Sequence, residues 1–248
     1  MQHTGNTILI TGGGTGIGLA LAQRWQDAGN HVIITGRRRQ VLDDAIAGRE
    51  RMSAYVLDVT ADDAVAAFAR QVIADHPQLN ILVNNAGVYS AEKAGAHRDI
   101  GAAQQMIATN VLAPIRMINA LVDHLSAQAG AAIINVSSGL AFVPLPGAPT
   151  YSASKAAIHS YTAALRPLLA GKVEVIEIVP PQVQTELTPG QSKDPNSMPL
   201  AAFADEVMAL LQADPTPAEV CVERVRYFRE AEAKGQFDQA LQMLAQYS

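Results

Sequence analysis

Residues 7–18 read TILITGGGTGIG: a short run of aliphatic and β-branched side chains, a turn packed with glycine, and the opening of a helix. A strand feeding a glycine-rich turn at a helix N-terminus makes a phosphate cradle. The first backbone N–H groups of the helix have no partner within it, and the helix dipole favours an anion there. Gly12, Gly14, Gly16 and Gly18, with Thr15 and Ile17 among them, are the candidate contacts. Residues without a Cβ permit positive φ and let the backbone approach a pyrophosphate. The spacing Gly12-x-x-x-Gly16-x-Gly18 departs from G-x-G-x-x-G, so the stretch alone leaves two readings, a dinucleotide cradle or merely a tight turn.

Outward from this turn the chain alternates. Strands are expected over Thr7–Thr11, His31–Thr35, Ser53–Asp58, Ile81–Asn84, Ala131–Val136 and Val173–Val179. Most are unbroken apolar runs, as strands buried on both faces of a parallel sheet require. Helices are expected between them, over Gly18–Asp27, Gln40–Ala47, Asp62–Ala74, Gln104–Ala127 and Tyr151–Leu169. Such alternation gives an α/β fold, a doubly wound parallel sheet with helices on both faces. No linker, repeat or low-complexity tract divides residues 1–248, so one domain is expected. The Pro-rich stretch Pro180–Pro199 reads as a substrate loop, followed by helical patterns over Leu200–Gln212, Ala218–Ala233 and Phe237–Ala245. Ligands in such sheets bind beyond the carboxyl ends of the strands. Those ends carry Gly12, Gly36–Arg37, Asp58, Asn84–Gly87, Ser137–Ser138 and Pro180–Thr185.

Composition narrows the partners. The 248 residues are 49% hydrophobic and 17% charged with a net charge of −5, an ordinary globular balance that argues against a nucleic-acid or membrane-surface partner. Arg37, Arg38 and Arg39 form the one dense basic cluster. The single cysteine, Cys221, cannot form an internal disulfide and fits a cytoplasmic setting as a small apolar side chain. We read no signal pattern and no apolar run approaching the ~20 residues of a membrane span.

Tyr151 and Lys155 lie four residues apart on an expected helix and so share a face. A phenol with a pKa near 10 is a poor acid–base group at neutral pH, but a neighbouring ammonium stabilises the phenolate and lowers that value. A phenol tuned in this way can exchange a proton with an alcohol or carbonyl oxygen. Read alone the pair could be chance, Ser137 and Ser138 a loop start, and Asn84, Asn85 and Asn110 turn or helix residues.

Taken together, TGGGTGIG (11–18), Asp58-Val59, NNAG (84–87), Asn110, the second Ser of INVSS and YSASK (151–155) resemble, in order and spacing, the short-chain dehydrogenase/reductases. The resemblance covers roughly residues 5–185. It implies a single Rossmann-type sheet, a nicotinamide cofactor, and a catalytic tetrad of Asn110, Ser138, Tyr151 and Lys155. Tyr151 would be the acid in carbonyl reduction and the base in alcohol oxidation, and Ser138 would hydrogen-bond the substrate oxygen. Lys155 would hold the nicotinamide ribose and tune the phenol, and Asn110 would position a water in the proton relay. Cofactor contacts are carried over to Gly12, Gly14, Thr15, Gly16, Ile17, Gly18, Asp58, Val59, Asn84, Ala86, Gly87, Tyr151, Lys155, Pro181, Val183 and Thr185. The resemblance implies no metal.

NAD-dependent relatives place an acidic residue where this chain has Gly36-Arg37-Arg38. Arginine can grip a 2′-phosphate with a planar fork of donors, so Arg37 and Arg38 point to NADP(H) ahead of NAD(H). Asp58 either meets the adenine or caps the helix after Thr60. Leu140, Phe142, Val143, Leu145 and residues 182–200 are expected to line an apolar pocket for a small ketone, aldehyde or secondary alcohol. Two departures stand out: Pro180-Pro181 replaces the common Pro-Gly, and the usual seventh strand is missing, with a helical pattern over Val222–Lys234 in its place. A homodimer through Gln104–Ala127 and Tyr151–Leu169 is expected, a tetramer being the alternative.

Overall fold

The computed structural model describes residues 2–246. Seven strands, β1 (Thr7–Thr11), β2 (His31–Gly36), β3 (Met52–Val56), β4 (Leu79–Asn84), β5 (Ala132–Val136), β6 (Glu174–Val179) and β7 (Glu219–Cys221), form one parallel sheet ordered β3-β2-β1-β4-β5-β6-β7. The chain builds outward from β1 in one direction and then, from β4, in the other. The crevice above the carboxyl ends of β1 and β4 is therefore the topological switch point.

The helices are α1 (Gly16–Asp27), α2 (Arg39–Ile46), α3 (Asp62–Asp75), α4 (Gly101–Ile107), α5 (Ala113–Ser126), α6 (Pro149–Leu169), α7 (Leu200–Leu211), α8 (Arg226–Glu230) and α9 (Phe237–Ala245). Each central strand feeds two cores. Ile8, Ile10, Ile34, Val83, Ile134 and Ile176 pack with Leu21 and Trp25 of α1 and Phe203 and Val207 of α7. Leu9, Ile33, Leu82, Ile133 and Val175 point the other way, onto Phe68 and Val72 of α3 and Met117 and Leu121 of α5. Burial on both faces is why these strands read as continuous apolar runs rather than alternating ones.

Most element ends fall within two residues of expectation, with two substantive exceptions. The helix expected over Gln104–Ala127 begins at Gly101 and is interrupted by a π-helical turn over Ala108–Leu112, with Asn110 inside it. Such single wide turns recur at functional sites. The seventh strand, expected to be absent, is present. Glu219–Cys221 pairs with β6 in the register Glu177↔Glu219, Ile178↔Val220 and Val179↔Cys221, and the helical stretch shrinks to α8 behind a 3₁₀ turn at Glu223–Val225. Three residues are too few to show a period of two. The ion pairs Arg226–Glu223 (3.2 Å), Arg226–Glu230 (3.9 Å) and Lys234–Glu230 (2.5 Å) imprint helical spacing on the flanking sequence. Among the described residues no helix is long and apolar enough to cross a membrane.

Candidate active site

The glycine turn lies against the end of β4. Gly12 has φ +66°, and a Cβ there would sit 2.9 Å from Ala86 Cα; one on Gly18 would meet Gly12 O and Asn85 Nδ2, both at 2.4 Å. Asn85 stitches the turn together, its Nδ2 donating to Thr11 O at 3.0 Å and Gly12 O at 3.1 Å. Thr11 Oγ1 accepts from the backbone N–H groups of Asn85 and Ala86, each at 3.1 Å. Thr15, the N-cap of α1, makes no side-chain capping bond, so no hydroxyl occupies the place of an anion at the helix start. A Cβ on Gly16 would lie 3.4 Å from Thr185 Cγ2, which brings the loop after β6 over the turn. Val183 anchors that loop, buried and bridged to Met198. The carbonyl of Pro180 accepts from Gly139 N at 2.9 Å, joining the same loop to the Ser138 turn. Among the described residues no non-glycine has positive φ, so Pro181 fits its path without the freedom of the glycine it replaces. A narrow, backbone-lined cradle closed to side chains fits a pyrophosphate.

Beyond β2, Arg37 and Arg38 are exposed, while Arg39 pairs with Asp43 at 3.7 Å. Asp58 accepts from Thr60 N at 2.9 Å and Thr60 Oγ1 at 2.7 Å. These bonds, with the nearby Arg37 charge, hold its carboxyl below the usual range. The N-cap of α3 is Ala61, so Asp58 closes a local turn and does not cap that helix. Val59 is buried in the α3/α5 core. The side chain of Asn84 turns away from the cradle and donates to Asn135 Oδ1 at 2.9 Å. Within NNAG it is the second asparagine that reaches the turn.

Asn110, Ser138, Tyr151 and Lys155 come together at the ends of β4 and β5. Tyr151 and Lys155 are both buried on the first two turns of α6, with Lys155 Nζ 5.7 Å from the centre of the Tyr151 ring and 2.9 Å from its acceptor, Val136 O. Burial pushes the Tyr151 phenol up to about 12; a hydrogen bond with Ser138 opposes this and Tyr89 adds to it. The lowered phenol expected from the Lys155 charge is therefore not what the site shows, because burial dominates. Burial pushes Lys155 down to about 8, against the pull of the Glu177 carboxylate. Ser138 Oγ accepts from Leu140 N at 3.1 Å, which fixes its lone pairs beside Tyr151. Asn110 clamps the segment after β4: its Oδ1 accepts from Val88 N at 2.9 Å, and its Nδ2 donates to Val88 O at 2.9 Å and Ser154 Oγ at 3.0 Å. A Cβ on Gly87 would sit 3.4 Å from Asn110 Oδ1 and 3.7 Å from Lys155 Nζ, so glycine keeps that floor open.

Val88, Tyr89, Met106, Leu140, Leu145 and Ala148 pack with Tyr151 and form an apolar wall. The Tyr89 ring stands edge-on to Tyr151 with centroids 5.1 Å apart. Phe142 and Val143, expected in the pocket, face elsewhere. Phe142 lies between His159 and Arg229, and Val143 is enclosed by Ala231 and Ala240. Glu92 was missed by sequence reasoning. Its carboxylate accepts from Thr150 N (2.8 Å), Thr150 Oγ1 (2.9 Å) and Arg98 Nη2 (2.9 Å), fastening the loop after β4 to the start of α6. A lone Glu in a polar loop gives no periodic or motif signal. Asn85 was legible as the second residue of NNAG, but nothing in the string assigned it the bonds to the turn.

A glycine cradle at the switch point, with a buried Ser–Tyr–Lys group beside it, defines an oxidoreductase site of one class. The chain belongs to the short-chain dehydrogenase/reductase family, whose short chain dehydrogenase model matches residues 6–196. It is 37% identical to an uncharacterized oxidoreductase, DltE, of Bacillus subtilis over 93% of both chains. It is 35% identical to sulfoacetaldehyde reductase 2 of Chromohalobacter salexigens over 73% of this chain and 74% of that one. Among solved structures, a short chain dehydrogenase from Burkholderia cenocepacia in complex with NADP superposes with a TM-score of 0.84 at 29% identity, covering 99% of each chain.

Proposed function

We propose that this chain is an NADPH-dependent carbonyl reductase acting on a small ketone or aldehyde. The observation that carries the cofactor choice is the pair Arg37–Arg38, exposed at the end of β2 where an acidic residue would repel a 2′-phosphate. The NADP bound by the Burkholderia relative agrees with this choice. In this reading the turn Gly12–Gly18 takes the pyrophosphate, Asp58 the adenine side, and Ala86, Gly87, Pro181, Val183 and Thr185 line the path to the nicotinamide. The bound cofactor supplies the hydride; the chain supplies placement and proton chemistry.

Ser138 donates its hydroxyl hydrogen to the substrate carbonyl oxygen, and Tyr151 O–H delivers the proton to that same oxygen as the carbon is reduced. A phenol held protonated by burial is in the correct state for this direction. Lys155, as an ammonium, stabilises the phenolate that remains and binds the ribose hydroxyls. With the oxygen and the nitrogen of its side-chain amide engaged by Val88 and Ser154, Asn110 shapes the relay through the backbone it fixes. The apolar wall around Tyr151 suits a compact substrate, and the named activity of the Chromohalobacter relative is a reductase of this kind.

Fluorescence titration with NADPH and with NADH, followed by turnover of a ketone and aldehyde panel, tests the reading. Tighter NADPH binding by an order of magnitude, about 1.4 kcal/mol, is expected. Preference for NADH makes the chain an NAD-dependent alcohol or sugar dehydrogenase, and binding of neither removes the dinucleotide role of Gly12–Gly18.

A further inference from the structure

Residues 85–100, which join β4 to α4, contain no helix or strand. A connection so long and irregular is uncommon in a compact domain unless it serves a site. It carries Tyr89, whose ring stands edge-on to that of Tyr151 with centroids 5.1 Å apart. Two anchors bracket Tyr89. On one side Asn110 clamps the N–H and the carbonyl of Val88, each at 2.9 Å. On the other side is Glu92. Its N–H donates to Gly147 O at 2.8 Å, and its carboxylate, with 4% of the side chain exposed, reaches the start of α6.

The two carboxylate oxygens divide their partners. Oε2 accepts from Thr150 N at 2.8 Å, and Oε1 accepts from Thr150 Oγ1 and Arg98 Nη2, both at 2.9 Å. Thr150 is the second residue of α6, and the N-cap of that helix, Ala148, makes no side-chain capping bond. Glu92 therefore takes an orphan N–H of the helix that bears Tyr151, from a separate loop. The helix dipole favours a negative charge there, and Arg98 compensates its burial. Burial works to raise the Glu92 carboxyl, but the bonds from Thr150 and Arg98 outweigh it and hold the group below the usual range. On the other flank of Tyr151, Ser152 Oγ accepts from Leu145 N at 3.0 Å and donates to Ala148 O at 3.1 Å. The two sequence neighbours of Tyr151 thus each hold one side of the apolar wall: Thr150 the segment with Tyr89, and Ser152 the segment with Leu145.

We propose that Glu92 is a positioning residue of the reaction: by tying Thr150 and Gly147 to the loop after β4, it holds the Tyr89 ring against Tyr151 and so fixes the direction of the phenol. Without Glu92 the loop keeps its clamp at Val88, one residue before Tyr89, and loses the one three residues after it. The proposal rests on the reading that Tyr151 serves carbonyl reduction, but half of its test does not need turnover. The chain has six tyrosines, few enough to assign singly in 13C-tyrosine-labelled protein.

Glu92→Gln keeps the size of the side chain but offers Thr150 one acceptor atom in place of two. It should weaken the NOE between the Tyr89 and Tyr151 rings, and lower kcat about tenfold or more while the NADPH dissociation constant stays within about twofold. Thr150→Val, which removes the hydroxyl and keeps the N–H, should move the NOE and kcat the same way by less. Glu92→Gln should then cost less in that background than in wild type, because the two residues share one contact. An undiminished ring NOE in Glu92→Gln overturns the proposal. So does a loss of NADPH affinity as large as the loss of kcat, which would make Glu92 a general brace of the fold. Should Glu92→Gln fail to fold, Thr150→Val decides, and an unchanged NOE and kcat overturn the proposal. A wild type without carbonyl turnover speaks against the proposed function, and the ring NOE still decides what holds Tyr89.

Discussion

Asn85 donates its side-chain amide to the carbonyl of Gly12 across 3.1 Å, binding the end of β4 to the turn at the end of β1. The bond holds two loops from adjacent strands in the one arrangement that leaves the cradle open. Asn85→Ala removes it and the bond to Thr11 O, leaving two partly buried carbonyls without their donor. Urea unfolding should report a loss of about 1–3 kcal/mol, and the NADPH dissociation constant should rise. An unchanged affinity would show that the turn keeps its shape without Asn85.

Cofactor preference is expected to follow one side chain. Arg37→Asp places an acidic group at the end of β2, beside Asp58, and should invert the NADPH-to-NADH affinity ratio measured by fluorescence titration. If the ratio stays put, the exposed arginines are surface charge only.

Tyr151→Phe keeps the ring packed against Tyr89 and removes only the proton donor. Turnover should fall to background while NADPH binding stays within a few fold. Lys155→Ala should reduce both if, as proposed, the ammonium serves binding and proton chemistry together. Residual turnover in Tyr151→Phe would assign the proton to another group.

Stability should depend on pH through His159. The hydrogen bond to Glu177 raises the pKa of its ring above the ordinary 6.5, so the folded chain holds a proton that the unfolded chain releases earlier. That contribution is complete below the unfolded value and fades as pH rises through the folded one. His159→Gln should therefore lower the urea midpoint more at about pH 5.5 than at about pH 9. Equal losses at both would mean that the pair acts through packing alone.

Local pattern and spacing already carried the doubly wound sheet, the glycine turn and the Tyr151–Lys155 face. Strand burial on two sides, the glycine a tight turn needs and the i, i+4 geometry of a helix are properties of neighbouring residues in the chain. The seventh strand was not legible, since three residues of Glu219–Cys221 become a strand only by finding the free edge of β6. Nor was the side on which Asn84, Phe142 and Val143 would fall, or the rise of the Tyr151 phenol. Each depends on what is packed against the group from elsewhere in the chain: Asn135 beside Asn84, Arg229 over Phe142, and an apolar wall that takes Tyr151 out of water. Sequence fixes which side chains are available along each strand and helix. Burial and charge are sums over all neighbours in space, and only the assembled fold decides which groups are desolvated and which charges meet.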